Sequence, residues 1–359
     1  MIPRAFKPDF AKTAARFEAW WLGEIIDRAP VTLSVKPERP YRGPIAHHAT
    51  LRDRWLDVEY QVTTAIAEME RREWLGDSLP VFMPNLGPEI TATLFGCDLE
   101  FGETTSWSRP VVTGPADWRR LASQPPNFAN VYWQTIERMT QLAIEQCAGR
   151  YLVGITDLHG AYDMLAGLRE PMDLCTDLVD CPELVDAAAH HMARTFAECF
   201  RRQSAQLTAG GFGSTTWTPM YHAGPAYVPS CDFWCMVSPA TAREMIYPTL
   251  ITEMQPLERS IFHLDGPQAL THLDLLLTLP KLNAVQWVYG AGQGPAAKWL
   301  AIYRRIRAAG KSLQLIAEDA HDALAVVREI GLRGVWVMIV QPFDSSAEAE
   351  SFLKEIAKL

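Results

Sequence analysis

Three short clusters in this chain, Asp157-Leu158-His159-Gly160, His263-Leu264-Asp265-Gly266 and Trp287-Val288-Tyr289-Gly290, carry acid, base and aromatic groups two residues apart. Each closes an apolar run that reads as a β-strand, and in a strand residues i and i+2 point to the same face. Each cluster therefore aims two side chains the same way at the carboxyl end of its strand, where parallel α/β folds keep their chemistry. His263 and Asp265 can bind a metal jointly, or Asp265 can orient His263 and hold it charged as a proton donor. A purely structural account has Asp265 capping the helix that opens at Gly266-Pro267. Asp157 and His159 repeat the pattern on another strand, with the same capping alternative for Asp157.

Weaker candidates surround these. Trp287 and Tyr289 offer flat apolar area and a hydroxyl to a planar or hydrophobic ligand, although strand aromatics also fill cores. Tyr221 and His222 lie in a loop broken by Gly224, Pro225 and Pro229, where they would touch substrate, gate it, or sit in solvent. Glu318 and Gln341 end two late strands, and Asn85 ends an early one near Met83 and Glu89. Asp232, just before Ser238-Pro239, would face the pocket or tie down a turn. The pairs His47-His48 and His190-His191 read as surface or interface; adjacent helical residues do not share a face.

The elements that must position these groups alternate most clearly in the second half. Strands are expected over 259–262, 283–288, 311–317 and 334–340, with helices over 266–279, 295–309 and 320–330 between or after them. The first half predicts strands over 30–35, 80–85, 151–156 and 213–217, and a long helix over 182–206. About eight β/α units result, the number a closed (β/α)8 TIM barrel needs. The expected architecture is such a barrel over 78–359, continuous with a largely helical N-terminal extension over 1–77 that serves as lid or interface. An open doubly wound sheet would bring a glycine-rich phosphate turn after its first strand, and none follows Val35.

Composition narrows the classes. With 359 residues, 48% hydrophobic and 21% charged, the chain has material for a large core and is not a disordered one. A formal net charge of −9 argues against nucleic acid as the principal partner. Seven cysteines form no CxxC, the start lacks the apolar core of a signal peptide, and no run approaches the roughly 20 apolar residues of a spanning helix. A cytoplasmic protein acting on a small molecule, with no membrane partner, is expected.

The order of the clusters then carries a resemblance. The run Cys231-Asp232-Phe233-Trp234-Cys235-Met236-Val237-Ser238-Pro239, a helix, His263-Leu264-Asp265-Gly266 and a strand ending in Gln286-Trp287 resemble the uroporphyrinogen decarboxylase superfamily from about Tyr151 to the C-terminus. That group is similar to cobalamin-linked methyltransferases and, more distantly, to cobalamin-independent methionine synthase. The resemblance implies a (β/α)8 barrel, often dimeric. Two departures bear on function. The arginine-rich N-terminal signature of the decarboxylases is absent from Pro3 to Phe10, and an octacarboxylate would meet like charge at Asp157, Asp265 and Glu318. The thiol-methylating branch resembles a His-x-Cys motif completed by a later cysteine to bind zinc. Here Asp265 stands in the cysteine's place, and the last cysteine is Cys235.

The resemblance and the residues together lead to a corrinoid-linked methyltransferase that demethylates a small methoxylated or methylamine-type substrate, with the corrinoid on a partner protein. In that expectation His263 and Asp265 give Lewis-acid or proton assistance, with zinc at a harder site that Glu318 or Gln341 could join. Asp157 and His159 position substrate, and Trp287 and Tyr289 wall it. A decarboxylase or other lyase acting on a small or tetrapyrrole-type carboxylate is the alternative, with His263 or Asp157 delivering the proton. A non-catalytic tetrapyrrole- or corrinoid-binding protein is the second.

Overall fold

A computed structural model describes residues 3–359. Met1 and Ile2, the first residues of the extension expected over 1–77, lie outside the described residues. A six-stranded, all-parallel, curled sheet runs in the order β1-β10-β9-β8-β7-β6, comprising β1 (Val31–Thr32), β6 (Ala226–Tyr227), β7 (Arg259–Asp265), β8 (Ala284–Val288), β9 (Ser312–Ala317) and β10 (Val335–Ile339). These strands are largely buried on both faces because helices cover one side and the interior fills the other. A separate parallel ladder joins β2 (Val81–Phe82) to β5 (Leu152–Val153), and β3 (Asp98–Phe101) pairs with β4 (Ser106–Arg109) as an antiparallel hairpin.

Regular pairing thus stops short of the expected closed ring. Between the two parallel ladders run single bonds, Asp77 N to Val31 O at 2.6 Å and Ile155 N to Thr215 O at 2.9 Å. The stretch expected as a strand over 213–217 makes only an isolated antiparallel bridge, Ser214 to His222. Gly213, Pro219 and Gly224 turn the chain back there before a ladder can form. The helix expected over 266–279 is a 3-10 turn, Pro267–His272, followed by Leu273–Leu277. The long helix is found over Pro182–Ala209. Among the described residues no helix is long and apolar enough to cross a membrane.

The N-terminal segment, expected over 1–77 as an extension continuous with the barrel, contributes a strand to the sheet. Its strand β1 lies within 1–77 and pairs with β10, Val31 opposite Val337, so the sheet begins inside the supposed extension. The first helix, Phe10–Trp21, buries Phe10, Phe17, Trp20 and Trp21 on one face. That face packs on the amino-terminal end of the sheet, with Phe17 and Trp20 edge-on to Trp336 at 5.1 and 5.4 Å. Trp20 Nε1 donates to Leu313 O at 3.1 Å, and Ser312 Oγ donates to Trp20 O at 2.6 Å. The unexposed Asp77 carboxylate fastens the arrangement. It accepts from Thr13 Oγ1 at 3.0 Å, Arg16 Nη1 at 2.9 Å, Val31 N at 2.9 Å and Arg28. The first helix is therefore a floor beneath the strand starts, not a lid above their ends.

Candidate active site

Strand β7 brings His263 and Asp265 out on one face, and its register sets His263 beside Gln286 and Asp265 beside Val288 of β8. The Gln286 amide nitrogen donates to Thr218 Oγ1 at 2.7 Å and to Gln314 Oε1, on β9, at 2.8 Å. Its oxygen therefore faces the imidazole and accepts from Nδ1 of His263. With the proton fixed on Nδ1, the Nε2 lone pair is left for a ligand. Nε2 lies 3.9 Å from Asp265 Oδ2. Asp232, beyond β6 on a loop that bridges Ser230 to His263, completes a group in which one donor atom from each of Asp232, His263 and Asp265 lies within 4.8 Å of the others.

Neither capping alternative holds. The turn Pro267–His272 has Gly266 at its cap with no side-chain bond, and the helix Ala161–Arg169 has Gly160. Asp157 and Asp265 are free to face the site. Burial raises the proton affinity of the Asp157 carboxyl, against the pull of His159 and His263. Asp232, an exposed residue whose carboxyl nonetheless has protein packed around it, is raised by that loss of hydration and then by Asp163, against His263 and His159. Asp265 is raised by burial, opposed by His263, and raised again by Asp232. The charges acting on these three carboxyls are other carboxyls and two histidines, with no lysine or arginine among them.

One helical turn carries both arms of the site. The helix Ala161–Arg169 follows directly on Asp157-Leu158-His159-Gly160, and the buried Glu253 caps it by accepting from Ala161 N at 2.7 Å. From the same turn the buried Asp163 accepts from Phe233 N at 2.9 Å and from Ser230 Oγ at 3.4 Å, which holds the Asp232 loop. Gly160 has no Cβ for a steric reason, since one would stand 2.7 Å from Glu253 Oε2. Over the other side of His263 lies Trp217, its ring edge-on at 5.1 Å.

The remaining candidates scatter. Trp287 shares its parity with Leu264 rather than His263, and is fully buried against Trp299 at 5.2 Å on the helix side of the sheet. It does not wall the site. Tyr289, 8% exposed, stands past the strand end, its phenol pushed up to about 12 by burial and then by Asp322 and Glu318. Glu318 is exposed beneath the loop at Gly294, where a Cβ would fall 1.7 Å from its carboxylate. Gln341 is exposed and lines a cleft of about 510 Å³ with Lys36, Asp319, His321 and Asp344, apart from His263. Asn85 forms a turn, accepting from Gly87 N at 2.8 Å.

Tyr221 and His222 belong to the opposite end of the molecule. His222 is held between Glu18 of the first helix at 2.8 Å and Glu258 at 3.3 Å, and Tyr221 packs on Phe10 at 4.9 Å. Glu258 directly precedes β7, so the length of that strand, roughly 20 Å, separates it from Asp265. Sequence reasoning missed Gln286 and Trp217 as site residues, whereas Asp163 was expected to support Asp157 and His159 from the first turn of the helix that follows them. An amide inside Ala284-Val285-Gln286-Trp287-Val288 was the signal available for the first.

Replacing Gln286 by Leu should leave Gln314 Oε1 and Thr218 Oγ1 without a partner and free the His263 tautomer. Expected are a loss of about 1–3 kcal/mol of stability and an imidazole that no longer holds its proton on Nδ1 alone. Long-range proton–nitrogen NMR spectra of the two proteins check this, and an unchanged His263 pattern would contradict it.

No protein-family model matches the chain, and no curated protein matches it. Solved structures do. A methyltransferase from Methanosarcina mazei aligns with a TM-score of 0.62 at 12% identity, covering 96% of this chain and 98% of that one. A B12-independent methionine synthase from Shewanella sp. W3-18-1 aligns with a TM-score of 0.40 at 10% identity, covering 92% and 96%, a likeness too slight to carry argument. At these identities the finding concerns architecture: the chain is a mixed α/β protein with the fold of the Methanosarcina mazei methyltransferase.

Proposed function

We propose that the protein is a methyltransferase that removes a methyl group from a small methoxylated or methylamine-type substrate and passes it to a corrinoid on a partner protein. The observation that carries this reading is the convergence of Asp232, His263 and Asp265 at the strand ends, with the Nε2 lone pair of His263 aimed by Gln286. The fold shared with a methyltransferase supports it. The chain's own groups suit the departure of a methyl group from oxygen or nitrogen. As that bond breaks, the leaving atom gains electron density and needs a proton, and Asp157, whose burial favours its protonated form, supplies one from its carboxyl oxygen. Trp217 covers His263 and keeps water from competing for the methyl group. A divalent cation between Asp232, His263 and Asp265 would supply Lewis-acid polarisation of the leaving atom.

The test supplies methoxylated aromatics and methylamines, with a reduced corrinoid as acceptor, and follows the label from the donor methyl to the corrinoid. Activity is expected to fall by about 10²–10⁴-fold in His263→Ala, the range set by removal of a catalytic group. If no donor labels the corrinoid while the protein remains folded, the reading is wrong.

The raised proton affinity of Asp157 also favours a second reading, a carboxy-lyase in which that carboxyl protonates the carbanion left by loss of carbon dioxide. Carbon dioxide release from aromatic or pyrrole carboxylates, without methyl transfer, would select it.

A further inference from the structure

The thiolate-rich zinc set implied by the resemblance does not fit these residues. Asp265 occupies the thiolate position, and no cysteine follows Cys235. Cys235 Sγ points to the backbone oxygen of Asp265 at 3.8 Å, while Cys231 is buried in the core. We propose that Asp232, His263 and Asp265 form an all-oxygen-and-nitrogen site for one divalent transition-metal cation, and that the chain thereby serves an oxygen or nitrogen leaving atom and not a thiol. For its use the proposal rests on the methyl-transfer reading; for its existence it does not.

Geometry, donor chemistry and charge agree on this site. Metal–ligand bonds of about 2.0–2.2 Å place neighbouring donor atoms roughly 3–4 Å apart. The observed group, within 4.8 Å, needs a closing movement of only about 1 Å. Two of its members can make that movement. The Asp265 side chain is 44% exposed, Asp232 is exposed, and neither carboxylate accepts a hydrogen bond from any described side chain. His263 is the fixed member. Its Nδ1 is committed to Gln286, itself 2% exposed and held by Thr218 and Gln314, the outer-shell support that orients a ligating histidine.

Gln286, Gln314 and Thr218 are not part of the acidic group, so their arrangement is an independent sign that Nε2 is presented to something. A further unmet polar atom stands at the same place. Nδ1 of His159, on the same strand-end segment as Asp157, is enclosed without any partner.

Carboxylate and imidazole donors suit zinc, manganese, iron(II) or cobalt(II), whereas copper(I) prefers thiolates. A 2+ ion would balance the two carboxylates, on which no lysine or arginine acts. Three protein ligands also leave open positions, the mark of sites that bind substrate at the metal.

Cobalt(II) titrated into the full chain tests the proposal without any assay of turnover. One equivalent should bind, giving visible d–d absorption with no near-ultraviolet thiolate-to-cobalt band. Asp232→Asn, which keeps the size of an exposed side chain, and His263→Ala should each weaken binding by at least about 100-fold, beyond the 10–100-fold usual for outer-shell changes. Cys235→Ser should leave the spectrum as it was, and circular dichroism verifies that each variant is folded. A charge-transfer band lost in Cys235→Ser would establish a thiolate site instead. Absence of binding, or binding unaffected in both ligand variants, would overturn the site altogether. Tight cobalt binding together with no methyl transfer would remove the proposed function, and with it the assigned leaving atom, and leave the metal site standing.

Discussion

Glu253→Gln should flatten the dependence of this protein's stability on pH and make it more stable at pH 8 than the parent. Glu253 is 1% exposed, and burial pushes its carboxyl up to about 8, with Asp163 adding to the shift and the bond from Ala161 N opposing it. The folded protein therefore keeps a proton that the unfolded chain releases near the ordinary value of 4.5. Stability from this group is complete below that value, declines as pH rises, and levels off once the folded carboxyl also ionises near 8. At about 1.4 kcal/mol per unit, the full span is on the order of 5 kcal/mol. Glutamine retains an oxygen to accept from Ala161 N and has nothing to ionise. Urea denaturation of both proteins at pH 5, 6.5 and 8 measures the difference directly. Parallel curves would show that Glu253 ionises freely in the folded state.

Asp77→Ala should cost about 3–5 kcal/mol, because it strands Arg16 and Arg28 with buried, unmatched charge and leaves Val31 N and Thr13 without an acceptor. Both arginines are 8% exposed, so solvent does not make good the loss. Arg16 retains Asp27, at 2.6 Å, whereas Arg28 retains only the carbonyl of Ala29. The failure should begin at the floor: amide exchange ought to quicken first in the helix Phe10–Trp21 and in β1. As a contrast, Glu329→Ala removes an exposed partner of Arg304 and should change stability by less than about 1 kcal/mol. An equal effect of the two substitutions in thermal or urea unfolding would refute the role given to Asp77.

What the sequence made legible follows from physical cause. His263 and Asp265 could be read because two polar groups at spacing two stand out against an apolar run. The face of Trp287 could not, since a strand of a parallel sheet is apolar on both sides and only the pairing of His263 with Gln286 fixes its parity. Gln286 was hidden for the same reason. Tyr221 and His222 sat among turn formers, which tell that the chain changes direction but not where it goes; it returns to the strand starts. The start of the sheet before residue 77 was hard to read because β1 is only two residues long, too short to show alternation. Asp232 was visible, yet its nearness to His263 is set by a bridge between separate segments that spacing does not encode.

The helix Ala161–Arg169 has a consequence for how this site can change. Because its first turn grips the Asp157-His159 segment on one side and the Asp232 loop on the other, the two move as one body, and neither can be retuned without disturbing its neighbour. Variation in what the mouth admits would then fall to the segment after β8. There Gly290 and Gly292 adopt positive φ, where a side chain would be strained, so change would fall to their neighbours in the loop. Evolution, or a designer, would alter selectivity in that loop while the paired arms stayed as they are.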